Sequence, residues 1–460
     1  MTSLGLLALM CSAAAIALRR PRFHAAALGF AAGVPASAGF TVGAVSVPLF
    51  TTVALVTAAS FAISRGAALP PLRDVGCSLL VAFVCWSLVL TVVGPWAFSG
   101  LPVLEPRKGV DEQTHAPSAL HFTVSHAAQA VYLVSAVLAG RFLWRSGTAS
   151  LALSTAAWTG TVLSAARGVL RSRGLDRTAP IFDTLAVDYS SDRDTRLRGV
   201  FAEPSELATF SLAVLTFAAV STLQAPTRRK RVSSAVLTLL AMVNLLASGS
   251  GTAVAGGVVV TVGMSALIAR RFVASHGRHT PAVVLMVLAI SFVTVWFGPD
   301  LVEPVGRLVT DKLGSQSFNA RSAADGIGLD VVARTRGLGA GLGSNRSSSF
   351  LVTLSSTTGV LGLALFAASI VAVVRAASVR RAAVPAAAGV LGMLVAKAVA
   401  TPDLSTPLLW ILIATCFDLA GRRVEDEDTS GSRHLVHGRH RGSTIGDRRA
   451  LPRLGGGHAL

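Results

Sequence analysis

Two polar segments hold the residues whose types and spacing could do chemistry. In the first segment, Arg196 and Arg198 precede Glu203, which stands beside Pro204 at the start of an apolar run. Proline favours the first turn of a helix, and the helix dipole favours a carboxylate at that end. A carboxylate held beside guanidinium groups could act as a general base, bind sugar hydroxyls, or orient the arginines through an ion pair. In the alternative interpretation, the motif marks only the start of a helix and its charges are incidental.

The second segment ends in alternating glycines and two polar residues. Gly339, Gly341 and Gly343 lead into Asn345 and Arg346, directly before another apolar run. Such glycines let the backbone approach a ligand closely, or expose successive N–H groups to it. No strand precedes them, so neither a P-loop nor a Rossmann fingerprint is present.

Further arginines lie in the second segment, and Arg321 and Arg336 are candidates to bind an anionic ligand together with Arg196, Arg198 and Arg346. Guanidinium is permanently charged and matches phosphate oxygens with paired hydrogen bonds. A cluster of arginines therefore suits a diphosphate or a polyanionic glycan. Alternatively, these arginines only form ion pairs with nearby aspartates. One of those aspartates, Asp330, is the fallback candidate for the general base.

Long apolar runs must position these segments. The chain has 460 residues, of which 52% are hydrophobic and only 14% are charged, and its mean hydropathy is +0.62. Crossing a bilayer takes about 20 apolar residues, and runs near that length recur almost throughout. The sequence predicts an all-α, polytopic transmembrane bundle over residues 1–420 with about 12–13 spans. The candidate spans are 3–18, 24–44, 46–64, 77–97, 120–143, 149–169, 205–223, 232–248, 252–269, 281–298, 349–374, 383–400 and 406–420.

Charge placement predicts the orientation of the chain. With these spans, five basic clusters between them fall on one side, which the positive-inside rule makes cytoplasmic. The basic tail, 421–460, is predicted to be disordered and cytoplasmic, and the two long loops, 171–204 and 299–348, face outward. The net charge of +18 comes without a nucleic-acid recognition module, so nucleic-acid binding is not favoured. The sequence predicts a multi-pass protein of the cell membrane. The four cysteines show neither a disulfide framework nor a metal-ligand spacing.

The two motifs in this order resemble the O-antigen polymerase and O-antigen ligase superfamily of membrane glycosyltransferases. The resemblance covers roughly residues 190–375 and depends on the order of several degenerate motifs. These are Arg196-x-x-Gly199-x-Phe201-x-Glu203-Pro204-Ser205, the turn 247–252, Ser317-x-x-x-Arg321, the glycine run from Gly337 to Ser344, and Gly359-Val-Leu-Gly362.

The resemblance implies a metal-independent, cofactor-free transferase of polysaccharide biosynthesis in the cell envelope. The donor would be a lipid-diphosphate-linked oligosaccharide, and the acceptor a glycan, lipid or protein. Arginines would neutralise the leaving diphosphate. Two departures favour a polymerase-like or uncharacterised member over a lipid-core ligase. The outer loop 299–348 contains no histidine, and the turn 247–252 lacks the arginine common there.

Two other classes compete with this interpretation. A transporter or flippase would move a lipid-linked or anionic envelope precursor, and such proteins usually place ionisable groups near the bilayer midplane. The predicted spans are nearly free of charge, with Lys397 as the main exception. An envelope assembly protein without catalytic activity is the third possibility.

Overall fold

The computed structural model describes residues 1–18, 20–43, 45–65, 74–106, 116–187, 196–251, 256–257, 316–399 and 401–421. Outside these ranges lie the predicted span 281–298, nearly all of the span 252–269, residues 299–315 of the second outer loop, and the tail from residue 422. Residues Met1–Leu419 form one compact unit, and a second unit begins at Ala420.

The described residues are mostly helical, with two short antiparallel hairpins. The helices are α1 (Ser3–Ala17), α2 (Pro21–Gly33), α3 (Leu49–Arg65), α4 (Val75–Ala97), α5 (Val124–Arg145), α6 (Ala149–Ser172), α7 (Ala179–Phe182), α8 (Pro204–Gln224), α9 (Arg228–Ala247), α10 (Gln316–Arg334), α11 (Phe350–Val379), α12 (Val384–Val399) and α13 (Pro407–Gly421). The strands are β1 (Ala38–Val42), β2 (Val45–Pro48), β3 (Pro102–Val103) and β4 (Ser118–Ala119), paired β1 with β2 and β3 with β4.

Five helices within the described ranges are long and apolar enough to cross a membrane, namely α4, α5, α8, α9 and α11. Four more, α1, α3, α12 and α13, are apolar but shorter. The mostly helical, apolar character predicted from the sequence is thus confirmed. The total of 12–13 spans and the side on which each loop lies stay predictions.

The helix predicted over 24–44 is wrong in its second half. Helix α2 ends at Gly33, and the β1–β2 hairpin follows. Pro35 disfavours helical backbone at the residue before it, and Val34 has φ −128° and ψ 61°. The next residues are rich in β-branched side chains, which favour strands. Helix α10 likewise occupies part of the segment predicted as the second outer loop.

Helix α8 is the most buried of the five membrane-length helices. In its apolar window 67% of the residues are buried, against 22–33% in the other four. A helix that is apolar on every side belongs in the interior of a bundle. Its N-terminus carries Glu203 and Pro204, so the central helix also positions the first motif.

Candidate functional site

An open cavity of about 430 Å³ lies beside the N-terminus of α8. Helix α5, the β1–β2 hairpin and the segments that precede α11 and α13 complete its wall. Apolar rings such as Phe50 and Phe210 line part of it. The charged, amide and phenol side chains of the lining are those of Gln129, Tyr132, Glu203, Glu206, Arg346 and Asp403. A concave apolar surface with a few convergent polar groups is typical of a ligand-binding site.

The start of α8 places two carboxylates on this wall. Glu203 is the N-cap residue, with extended backbone, and Pro204 occupies the first turn as predicted. The Ser205 hydroxyl donates a hydrogen bond to Glu203 Oε2 at 3.0 Å. Glu206 lies in the first turn, and its Oε2 accepts the N–H of Ala202 at 3.2 Å. Sequence analysis missed Glu206, although its position three residues after Glu203 at a helix start was a usable signal.

Arg346 reaches the same cavity from the second segment. Its backbone N–H donates to the carbonyl of Leu104 at 2.9 Å, and its Nη2 lies 3.4 Å from Asp403 Oδ2. Its Nε is buried and has no hydrogen-bond partner among the described residues. The Asp403 carboxylate, helped by Glu203 and Glu206, raises the pKa of Arg346 against the effect of burial. Two residues singled out in separate motifs, Glu203 and Arg346, therefore line one cavity.

Asp403 completes the charged lining, and Lys397 lies behind it; sequence analysis gave neither a role in the site. Asp403 lies between α12 and α13, and its side chain is 36% exposed. Lys397 is completely buried in α12. Its Nζ donates to the carbonyls of Thr401 at 3.0 Å and Asp403 at 2.6 Å, and lies 5.2 Å from the Phe350 ring centroid. The lysine therefore fixes the segment that follows its helix and carries Asp403.

Arg198, predicted to bind substrate, is buried in an ion-pair network. Its Nη2 lies 2.6 Å from Asp183 Oδ2, and Arg167 from α6 binds the same carboxylate at 2.5 Å. Burial alone would raise the pKa of Asp183, but the hydrogen bonds from Arg167 and Arg198 outweigh it and hold that pKa below its ordinary range. Arg198 is absent from the described lining of the cavity, and a substrate contact for it stays a prediction.

Four other predicted residues lie elsewhere among the described residues. Arg196 is exposed and packs against the turn at Gly249. Arg321 is half-buried on α10, and Arg336 is exposed with φ 51°. Asp330 is exposed and forms an i,i+4 ion pair with Arg334 at 2.7 Å. None of these four lines the described cavity, so their roles in catalysis or binding stay predictions.

The predicted glycines contact other parts of the backbone. Gly339, Gly341 and Gly343 all have positive φ, which glycine adopts without steric cost. A Cβ at Gly341 would lie 2.7 Å from the carbonyl oxygen of Leu90, and one at Gly343 would lie 2.6 Å from that of Ser125. Close packing on α4 and α5 thus requires glycine at both positions. Their substrate contacts stay untested predictions.

This glycine segment fills a break in helix α11. Gly359 has φ 73° and ψ 177°, which interrupts the helical backbone. The N–H groups of Ala340 and Gly341 donate to the carbonyls of Ser356 and Thr357 at 2.9 and 2.8 Å. Trp86 Nε1 donates to the Thr358 carbonyl at 2.8 Å. Broken helices are tolerated in membranes where protein groups satisfy the freed backbone.

Asn345 is fully buried and connects this segment to its surroundings. Its side-chain oxygen accepts the N–H of Leu104 at 3.0 Å, and its amide nitrogen donates to the hydroxyls of Ser347 and Ser356 at 3.1 and 3.2 Å. These contacts give Asn345 a structural role next to Arg346. Its predicted substrate contact is not tested by them.

The described fold and cavity together define a class, a helical protein of membrane-spanning character with a charged, amphipathic cavity. Within the described ranges, no group of three His, Cys, Asp or Glu side chains could hold a metal ion. Comparison with known proteins adds no family, because no protein-family model matches the chain and no curated protein is significantly similar to it.

Proposed function

We propose that this chain is a membrane glycosyltransferase of the polymerase or ligase type. It would transfer a saccharide from a lipid-diphosphate donor to a glycan, lipid or protein acceptor, without a metal, at the outer face of the cell membrane. The observation that carries the proposal is the meeting of Glu203 and Arg346 in one cavity. Both were singled out in the sequence. Glu203 belongs to the first motif of the resemblance to O-antigen polymerases and ligases, and Arg346 follows the glycine motif of that resemblance, which ends at Ser344.

The proposed reaction needs a base and a cation in the same cavity. The acceptor hydroxyl oxygen attacks the anomeric carbon of the donor, a new C–O bond forms, and the bond to the diphosphate oxygen breaks. The hydroxyl proton passes to a carboxylate, and the lipid diphosphate leaves with the bonding electron pair. Arg346, whose charge is permanent, would stabilise the negative charge that develops on the leaving diphosphate.

Glu206 is the better placed of the two α8 carboxylates to accept the proton. It lines the cavity, and its carboxylate accepts a hydrogen bond from the neutral backbone N–H of Ala202. Glu203 is exposed, and its carboxylate accepts the hydroxyl of Ser205. The amide of Gln129 and the ring of Tyr132 on the facing helix α5 could hold the acceptor sugar. Asp330 is outside this arrangement because it does not line the described cavity.

Transfer in proteoliposomes would test the proposal. With a fluorescent lipid-diphosphate-linked oligosaccharide and a free oligosaccharide acceptor, wild-type protein should form elongated product. Glu206→Gln should lower kcat by about 10²–10⁴-fold, as expected for loss of a general base, and Glu203→Gln should lower it less. Arg346→Lys keeps the charge but loses the planar fork and should also impair transfer. Absence of product from folded wild-type protein would overturn the proposal.

A transporter or flippase remains the second candidate, favoured by a different observation. Glu206, Lys397 and Asp403 bring ionisable groups into the bundle around the cavity, and α11 is broken at Gly359. Both features are common at the substrate sites of secondary transporters. Movement of the labelled lipid-linked donor between leaflets, without any new glycosidic bond, would favour transport over transfer.

The proposed orientation can be tested separately. Cys11 and Cys85 are exposed, so all four native cysteines are first replaced by alanine. Cysteines introduced at Ser190 and Ser315 should then react with an impermeant maleimide in intact cells, and one at Ser432 should not. All three positions lie outside the described residues. Labelling at Ser432 would contradict the cytoplasmic assignment of the tail.

A further inference from the structure

Asp183 lies between two arginines that come from different parts of the chain. It follows the short helix α7, and both of its oxygens accept hydrogen bonds from Arg167 of α6, at 2.7 and 2.5 Å. Both also accept from Arg198, at 2.9 and 2.6 Å. The side chains of Asp183, Arg167 and Arg198 are only 7–8% exposed. Such bidentate, charge-assisted hydrogen bonds are strong and geometrically specific.

The same two arginines also hold the turn that leads to α8. Arg167 Nη1 donates to the carbonyl of Gly199 at 2.9 Å, and Arg198 Nη1 donates to that of Phe201 at 3.1 Å. The N–H of Val200 donates to Ser164 Oγ of α6 at 3.3 Å. Glu203 follows this turn by two residues. Residues 199–201 are therefore fixed to α6, and the two cavity carboxylates follow them directly along the chain.

We propose that Asp183 is a positioning residue for the cavity, which orients both guanidinium groups so that they hold the 199–201 turn and thereby set Glu203 and Glu206 on the cavity wall. The catalytic consequence of this inference rests on the proposed glycosyl transfer. The positioning itself does not.

Ligand binding by the arginines is the competing explanation for their presence. A diphosphate that used Arg198 would have to displace Asp183 from the two hydrogen bonds that it accepts from this arginine, in a place that is nearly inaccessible to solvent. Removing one member of a buried charge network leaves the others uncompensated, which is strongly unfavourable. The network therefore acts as an internal clamp. The cationic side chain that lines the described cavity, and could meet a ligand there, is that of Arg346.

The first experiment is independent of any reaction. Backbone hydrogen exchange is measured for peptides that span 196–206 in detergent-solubilised full-length protein. Asp183→Asn should raise the exchange rate there by about tenfold or more, since local opening no longer has to break the clamp. Asp183→Glu, which keeps the charge, should raise it less. Arg334→Gln, which removes an exposed ion pair, is the matched control and should leave these peptides unchanged.

The second experiment separates positioning from general damage. Asp183→Asn and Glu206→Gln are combined in a double-mutant cycle of kcat in proteoliposomes. If Asp183 acts through Glu206, Asp183→Asn lowers kcat by about tenfold in the wild-type background and by much less in the Glu206→Gln background. The acceptor KM should change little. A merely structural role predicts equal losses in both backgrounds and would overturn the inference.

The two experiments distinguish the possible failures. Unchanged exchange at 196–206 in Asp183→Asn overturns the clamp, whatever the reaction is. Raised exchange together with no wild-type transfer retains the clamp and overturns the proposed glycosyl transfer. Should Asp183→Asn fail to fold, Asp176→Asn removes a partner of Arg167 that lies 2.8 Å away and is more exposed. It should give the same pattern with a smaller amplitude, and unchanged exchange in that variant would contradict the clamp.

Discussion

The two polar segments that precede α8 and α11 are held against the bundle by different forces. The first depends on charge, since Arg167 and Arg198 bind Asp183 and two backbone carbonyls. The second depends on backbone contact, since glycines without side chains approach α4 and α5 closely and donate N–H groups to broken α11. Charged side chains and bare backbone are thus alternative ways to fix a polar loop on an apolar bundle. The difference predicts how each segment responds to perturbation.

A methyl group should damage the second segment most. Gly341→Ala places a Cβ 2.7 Å from the carbonyl oxygen of Leu90 at φ 97°. Backbone strain and overpacking together should cost about 4 kcal/mol of unfolding free energy. Gly100→Ala is the matched control, because φ is 85° but a Cβ there has no neighbour within 4 Å. Thermal unfolding in detergent, followed by circular dichroism, should show a much smaller loss for the control, and equal losses would refute the close-contact argument.

Acid should release the first segment and spare the second. The pKa of Asp183 is lowered in the folded protein, so its stabilisation is complete above the ordinary aspartate pKa of about 3.9 and is lost as pH falls through the lower, folded value. Asp183→Asn should lower the free energy of unfolding by about 3 kcal/mol. The resulting Tm difference from wild type should stay constant from pH 8 to pH 5 and shrink at pH 3. A difference that disappears already at pH 6 would exclude Asp183 as its source.

Loss of one hydrogen bond at the helix break should have a moderate effect. Trp86→Phe removes the indole N–H that donates to the Thr358 carbonyl at 2.8 Å. We expect a loss of about 1 kcal/mol, measured by denaturant unfolding in micelles. Trp96→Phe is a suitable comparison, because Trp96 is 83% exposed. If both variants unfold alike, the indole contact contributes nothing to the break.

The smallest effect is expected for an exposed ion pair. Arg334→Gln removes the contact with Asp330, whose side chain is 46% exposed. Exposed i,i+4 pairs contribute about 0.3–0.5 kcal/mol, so the free energy of unfolding in the same assay should change by no more than that. A loss comparable to that of Asp183→Asn would show that exposure does not separate the two kinds of ion pair.

Local patterns predicted the parts of the site that depend on local structure. Pro204 and Glu203 marked the start of α8 correctly, because helix N-terminal preferences act over a few residues. Ion pairs between the loop arginines and nearby aspartates, Asp183 among them, were the alternative left open by the sequence, and Arg198 forms such a pair. The place of Asp403 beside Arg346 was out of reach, since tertiary folding brings the two together. The burial of Arg198 was hidden for the same reason. The sequence could not show that Arg167 of α6 binds the same carboxylate.

The break in α11 illustrates a second limit of local patterns. The run 349–374 reads as one continuous apolar span, and a glycine inside it is compatible with an intact helix. The broken form is stabilised by distant groups, namely the segment 337–341 and Trp86, which donate to the freed carbonyls. The alternating glycines were predicted to let the backbone approach a ligand closely, and that ligand contact stays a prediction. In the described structure, these glycines lie against the backbone of α4, α5 and α11.

The break in α11 also limits how the cavity can change shape. If the glycine segment moved away, the carbonyls of Ser356 and Thr357 would lose their donors inside an apolar bundle, at about 1–3 kcal/mol each. The wall that carries Arg346 is therefore costly to displace. A bulky ligand would enter more easily past the β1–β2 hairpin, whose Val45 and Ser46 also line the cavity. We expect Arg346 to stay fixed while the hairpin side opens.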